Sequence, residues 1–191
     1  MLSIWNALRG DFWGTFGRWQ DQRAIWLLGG GIALGLELFS WAFFQTFLGL
    51  RPCELCVYIR VSMLGIFLGA MIGAMKPKHI VFKLAGYAVV WWWIIRGLLW
   101  NFRLEIENIR AADPNWFSLC GPTPTEFPFG LKLDEWFPAH FRPEAVCGEI
   151  GNAWSALGLN MAEWLFFAYA GFIIVVALMG LGGLVQARRK H

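Results

Sequence analysis

Residues 51–75 read RPCELCVYIRVSMLGIFLGAMIGAM, and the order of their chemistry decides the fold. A proline and a Cys-x-x-Cys pair, Cys53 and Cys56, stand directly ahead of an apolar run from Val57 to Met75 whose only charge is Arg60. A run of about 20 residues is what a helix needs to cross the hydrocarbon of a bilayer. Working outward, three further stretches have the same character: about 24–48, interrupted by Glu37; about 80–100, carrying Lys83 and Arg96; and about 161–185. The expected architecture is an all-α membrane protein, a four-helix transmembrane bundle with a long irregular loop, forming a single membrane domain over residues 1–191. Composition agrees. The chain is 58% hydrophobic and 15% charged with a mean hydropathy of +0.50, too little charge to cover the surface of a soluble domain of this length. The first apolar segment is long and lacks a small-residue cleavage pattern behind it, so it reads as a retained helix.

The basic residues orient the bundle. Arg9, Arg18 and Arg23 precede the first span, Lys76, Lys78 and Lys83 lie around the second connection, and Arg188, Arg189 and Lys190 follow the fourth span. Against these nine stand only Asp11 and Asp21, whereas the loop 101–160 holds Arg103, Arg110, Lys132 and Arg142 against eight acidic residues. The positive-inside rule puts both termini and the lysine loop in the cytoplasm. Loops 49–56 and 101–160, with all of Cys53, Cys56, Cys120 and Cys147, then face the opposite compartment, where disulfides persist. A net charge of +3 gives no support to nucleic-acid binding. The long loop carries Pro114, Trp116, Pro122, Pro124, Phe127, Pro128, Phe129, Trp136, Phe137, Pro138 and Phe141. That composition breaks regular structure and suits a segment lying at the membrane interface, with a helical turn or two over Leu131 to Phe137.

Four cysteines allow two disulfides in three connectivities, and spacing does not choose among them. The Cys53–Cys56 spacing recurs in reactive redox pairs. Cys56 falls near a helix N-terminus, where unpaired N–H groups and the helix dipole favour a thiolate. Arg60, four residues on, shares its face. An arginine at the membrane edge demands an anionic partner, which a Cys56 thiolate or an electron-rich ligand would supply. Zinc is disfavoured, because Cys120 and Cys147 are widely spaced and no histidine adjoins either pair; haem attachment would need histidine where Val57 stands. New disulfides require an external oxidant. The chain has no dinucleotide fingerprint, and His79, His140 and His191 all fall outside the spans. By elimination, a lipid-soluble quinone is the expected acceptor. Glu37 and Arg96 read as intramembrane charges that could pair across helices.

The chain closely resembles the DsbB family of bacterial inner-membrane quinone reductases. The resemblance runs through LELFSWAFFQ (36–45), PCELCVYIR (52–60), GAMIGAMKPK (69–78), the paired loop cysteines and GLNMAEW (158–164). Within the family, PCELCVYIR, RWQDQR (18–23) and TEFPFGLKLDEWFP (125–138) are similar to the DsbI branch. The resemblance implies a multi-pass inner-membrane enzyme with cytoplasmic termini and periplasmic cysteines. It would reoxidise a periplasmic DsbA-like or DsbL-like dithiol oxidase and pass electrons to ubiquinone or menaquinone. It further implies a Cys120–Cys147 disulfide attacked first at Cys120, transfer from Cys147 to Cys53, and a Cys56 thiolate facing the quinone beside Arg60. Gln45 matches a family position near the quinone, though it also reads as an interfacial polar residue. One departure is Leu104, where some members carry a histidine. Competing readings are an enzyme like vitamin K epoxide reductase, whose active Cys-x-x-Cys lies on a late helix, and a non-enzymatic assembly factor merely stapled by disulfides. The second leaves Arg60 beside Cys56 unexplained.

Overall fold

The computed structural model describes residues 12–113, 115–118, 120, 127–148 and 153–188. Arg9, Asp11, Pro114, Pro122, Pro124, Arg189, Lys190 and His191, used above, lie outside the described residues. A short helix α1 (Phe12–Trp19) precedes α2 (Arg23–Phe39), which continues as a π-helical segment, Ser40–Phe47. Then come α3 (Glu54–Met75) and α4 (Ile80–Arg110). The long connection holds a 3₁₀ turn (Pro128–Gly130), α5 (Leu133–Trp136), α6 (Pro138–Phe141) and the small hairpin β1 (Ser155–Ala156) and β2 (Leu159–Asn160). The last helix is α7 (Met161–Arg188). Four of these segments, 23–47, α3, α4 and α7, are long and apolar enough to cross a membrane. The protein is a multi-pass helical membrane protein.

Helix α3 is the centre of the bundle: 67% of its spanning window is buried by the rest of the chain, against 17–22% for the other three. Small residues make this possible. Gly65, Gly69 and Gly73 recur every four residues, and a Cβ on Gly69 would sit 2.9 Å from the Val90 backbone nitrogen of α4. From the other side, a Cβ on Gly86 would meet the Gly73 Cα at 2.9 Å. Close backbone approach of this kind is the packing that holds helices together in lipid, where burial of apolar surface no longer separates them from their surroundings. Trp26, Ala33, Met63, Ile66, Ala70, Val90, Ile94 and Tyr169 fill the middle. Outward-facing Leu28, Ile32, Leu84, Ile95, Ile174 and Leu184 are exposed, as a lipid-facing surface requires.

Polar groups inside the bundle are tied across helices. Ser62 Oγ donates to the Ile59 carbonyl at 2.7 Å, so the Tyr169 hydroxyl, 2.5 Å away, donates to Ser62 and links α7 to α3. Asn101 Nδ2 donates to the Ala162 carbonyl at 2.9 Å, linking α4 to the start of α7. At the lysine end, Lys83 of α4 pairs with Asp21.

The helix boundaries differ from the sequence expectation in three places. Helix α3 starts at Glu54, not at 57, because Cys53 acts as its N-cap. Helix α4 does not stop near 100; it continues to Arg110, so residues 101–110 are helix rather than loop. Apolar content ends where lipid ends, but hydrogen bonding along the helix does not, and Asn101, Leu104 and Asn108 stay buried in that extension. The helical turn expected over Leu131 to Phe137 occupies Leu133–Trp136 and is followed directly by α6. Phe127 and Phe141 pack on Val57 and Val61 and dock this connection onto α3. Phe129, Trp136 and Phe137 face outward.

Candidate functional site

Pro52 blocks helix continuation on its N-terminal side, and Cys53 takes an extended conformation (φ −84°, ψ 170°) as the N-cap of α3. Its Sγ accepts the Cys56 backbone N–H at 3.3 Å, and the two cysteines are joined as a disulfide. A sulfur at this cap faces the positive end of the helix dipole, where a thiolate is favoured. Cys120 and Cys147 form the second disulfide, with the Cys147 N–H donating to the Cys120 carbonyl at 3.1 Å.

The two disulfides are brought together by backbone pairing. Glu144 N–H donates to the Pro52 carbonyl at 2.9 Å, and Cys53 pairs with Ala145 in a parallel bridge. Cys147 is two residues further along. Cys53 and Cys147 are completely buried and, with Cys56, Ile59, Trp100, Leu104 and Ala162, belong to one apolar cluster against which Cys120 packs. Cys120 is only half-buried, and it borders a surface groove that also includes Glu54, Tyr58, Arg103 and Arg110. Of the four sulfurs, the loop pair thus offers the more accessible one.

On the other side of Cys56 lies a cavity of about 440 Å³ between α2, α3 and α7. Leu36, Phe39, Phe44, Ile59, Met63, Trp154, Trp164 and Leu165 make its apolar wall; Cys56, Arg60 and Glu37 contribute the chemistry. Phe44 and Trp154 meet edge to face at 4.9 Å on its rim. A cavity of this size with a few convergent polar groups suits a small, mostly apolar ligand.

Arg60 is 4% exposed and tied to three neighbours. Its Nη1 donates to Gln45 Oε1 at 2.7 Å and to the His140 carbonyl at 2.8 Å, while Nε lies 3.9 Å from Glu37 Oε1. Gln45 Nε2 in turn donates to the Ala139 carbonyl at 2.7 Å. His140 Nε2 and Glu37 Oε1 are 2.6 Å apart. The anionic partner that sequence reasoning assigned to a thiolate or ligand is supplied in the fold by Glu37. Glu37 does not pair with Arg96, whose guanidinium lies 5.0 Å over the Trp100 ring instead. The π-helical segment explains why Gln45 takes part. Eight residues of straight α-helix would turn Gln45 about 80° away from Glu37, and winding with i→i+5 bonds removes that offset.

The sequence offers Cys53, Cys56, Cys120, Cys147, Arg60 and Gln45 as candidates, and the fold gathers all six at the end of the bundle opposite the lysine loop. Two further residues meet Arg60 there, Glu37 and His140. In the sequence Glu37 is visible only as an intramembrane charge that could pair across helices, and His140 carries no local signal at all.

An α-helical membrane bundle with two adjoining disulfides, one of them on the wall of an apolar cavity, defines a membrane-embedded disulfide oxidoreductase. A sequence model of the disulfide bond formation protein DsbB matches residues 22–179. The chain belongs to the DsbB family and falls in its DsbI branch. It is 36% identical over 176 residues to the DsbI protein of Shewanella oneidensis, covering 85% of this chain and 82% of that one. It is 39% identical over 150 residues to the protein-disulfide oxidoreductase DsbI of Lelliottia amnigena, covering 76% and 67%. It is 38% identical over 157 residues to the disulfide bond formation protein B of Shewanella frigidimarina, covering 82% and 88%. The protein is a disulfide-generating oxidoreductase of the membrane.

Proposed function

We propose that this protein reoxidises a thioredoxin-fold dithiol oxidase of the DsbA or DsbL kind and delivers the electrons to a membrane quinone. The observation that carries the reading is the position of Cys56. Its sulfur belongs to the apolar cluster of the loop disulfide and also to the wall of the cavity it shares with Arg60. The working unit is the single membrane domain 1–191, set in the bacterial inner membrane with cytoplasmic termini and periplasmic cysteines. The basic residues around the lysine loop and the acidic long loop support that orientation.

The sulfur chemistry balances as a chain of exchanges. The partner's thiolate attacks Cys120, breaking its bond to Cys147 and forming a mixed disulfide. The Cys147 thiolate attacks Cys53, and Cys56 leaves as a thiolate at the start of α3. The partner's second thiol then attacks the mixed disulfide, leaving the partner oxidised and Cys120 reduced. The Cys120 thiolate attacks Cys147 in turn, restoring the loop disulfide and releasing Cys53, so that the two electrons rest on the Cys53 and Cys56 pair. Buried Cys53 and Cys147 are the sulfurs that exchange with each other, and half-buried Cys120 is the one a protein partner can reach.

The apolar cavity, with Cys56, Arg60 and Glu37 on its wall, fits a quinone head group, which Leu36, Phe39, Phe44, Trp154 and Trp164 would enclose. A quinone supplies a two-electron, two-proton acceptor. Arg60, held in place by Gln45 and the His140 carbonyl, presents fixed positive charge on the cavity wall that it shares with Cys56. The surrounding aromatic and aliphatic side chains exclude water from that thiolate.

Purified protein mixed with a reduced thioredoxin-fold dithiol and ubiquinone tests the reading. Quinone is expected to be consumed in proportion to disulfide formed. Wild-type protein showing no quinone-dependent oxidation of the dithiol would overturn it.

A further inference from the structure

The carboxylate of Glu37 is 2% exposed and sits within a membrane-spanning segment, yet its side chain borders the cavity. An intramembrane acid is costly and calls for a functional account. Its partners are Arg60 Nε at 3.9 Å and, much closer, His140 Nε2 at 2.6 Å. His140 comes from α6, in the loop connection 103 residues away in sequence, and its side chain is 21% exposed. The contact therefore joins the cavity wall to a partly exposed histidine of the loop connection. Helix α6 is also held on both sides of this contact. The Ala139 carbonyl accepts from Gln45 and the His140 carbonyl accepts from Arg60. The imidazole is thus clamped against Glu37 by two backbone hydrogen bonds as well as its own.

We infer that Glu37 and His140 form a proton relay that leads from the loop face into the cavity, and this rests on the quinone reading above. Oxidising one dithiol to a disulfide releases two electrons and two protons, and reducing a quinone to a quinol consumes two of each. The sulfur relay carries the electrons inward, but the partner's protons are left outside, so an apolar cavity needs a separate supply. The side chains with polar atoms on its wall are Cys56, Arg60, Glu37, Ser40, Trp154 and Trp164, and an indole N–H is not an acid in water. A guanidinium does not give up its proton, a hydroxyl does so only at very high pH, and Cys56 leaves the exchange as a thiolate. Glu37 is the remaining donor. A hydrogen bond between Nε2 and Oε1 contains one proton. His140 first takes up a proton on its other ring nitrogen, and the imidazolium so formed passes the shared proton to Oε1 on the cavity wall and returns to neutral imidazole. The ionisable groups facing this pair are Arg60 from α3 and the phenol of Tyr169 from α7, which is held by Ser62. Glu37 is the residue at the cavity; His140 acts through it.

The test uses full-length protein carrying His140→Ala, His140→Gln or Glu37→Gln in detergent or vesicles with ubiquinone. Stoichiometric oxidation of a reduced thioredoxin-fold dithiol without added quinone runs through the cysteines alone and reports that each variant is folded. With quinone, His140→Ala is expected to lower kcat tenfold or more while changing the quinone KM less than threefold. A solvent deuterium isotope effect should grow, and added imidazole should restore part of the rate. In ¹⁵N-labelled protein, the Nε2 resonance of His140 should report a strong hydrogen bond that Glu37→Gln removes. Wild-type kcat in His140→Ala, a loss confined to KM, or a His140 resonance indifferent to Glu37→Gln would each overturn the relay. Absence of quinone reduction in the wild type would instead remove the function on which it rests.

Discussion

Arg60 and His140 stand 80 positions apart in the chain, yet Arg60 Nη1 donates to the His140 carbonyl at 2.8 Å. This bond, with those of Gln45 to Arg60 and to Ala139, makes one arginine responsible for both the cavity wall and the seating of the loop. Arg60→Leu is expected to raise the quinone KM at least tenfold. It should also destabilise the protein, because removing one partner from a buried charged network costs about 3–5 kcal/mol. Arg60→Lys keeps the charge but loses the planar fork, and should fall between the two. Steady-state kinetics and thermal unfolding in detergent measure both effects; an unchanged KM in Arg60→Leu would refute the assigned role.

The sulfur relay predicts different fates for two single-cysteine variants. Cys147→Ser leaves Cys120 unable to form its loop disulfide, and Cys56→Ser leaves the inner pair unable to close. Both should abolish steady quinone-dependent turnover. Cys56→Ser keeps the loop disulfide, so it should still accept one equivalent from the partner, whereas Cys147→Ser should accept none through that route. Quantifying free thiols after a single mixing event distinguishes these outcomes.

Filling the cavity separates its two neighbours. Ala168 lines the cavity from α7 and makes no hydrogen bond through its side chain, so Ala168→Phe occupies space that the fold leaves open. The quinone KM should rise about tenfold, corresponding to a loss of roughly 1.4 kcal/mol of binding. Quinone-free disulfide exchange with the partner should be unaffected. Equal loss of both activities would mean that the cavity is not a separate site.

Gly86→Leu tests the closeness of α3 and α4. A side chain there meets the Gly73 backbone, which cannot rotate away. Overpacking of this kind costs about 1–3 kcal/mol or more, and a lowered unfolding midpoint in detergent is the expected result.

Orientation is checked by cysteine labelling of intact cells. Lys78→Cys lies in the lysine loop and Phe117→Cys is exposed at the cysteine end. In a background with the native cysteines replaced, a membrane-impermeant maleimide added from outside should label position 117 and spare 78. The reverse pattern would invert the proposed topology.

The sequence alone determined the membrane class, the four spans, and the grouping of the cysteines away from the lysine loop. Those features are local: an apolar run of sufficient length, a count of basic residues, a proline and cysteine ahead of a helix, and Arg60 one turn after Cys56. The same local logic misjudged where α4 ends, since hydropathy reports the lipid boundary and not the end of helical hydrogen bonding. Tertiary structure joins Cys53 to Cys56 and Cys120 to Cys147, the pairing that the family resemblance implied and spacing left open, and lays the Glu144–Ala145 backbone beside Pro52 and Cys53 so that the two disulfides adjoin. It also decided that Glu37 meets Arg60 and His140 rather than Arg96, and that Gln45 turns inward along a π-helical segment. Contacts between residues 80 or more positions apart leave no periodicity to read. They form only when the aromatic loop docks on α3, and so the chemistry around Arg60 is a property of the folded chain.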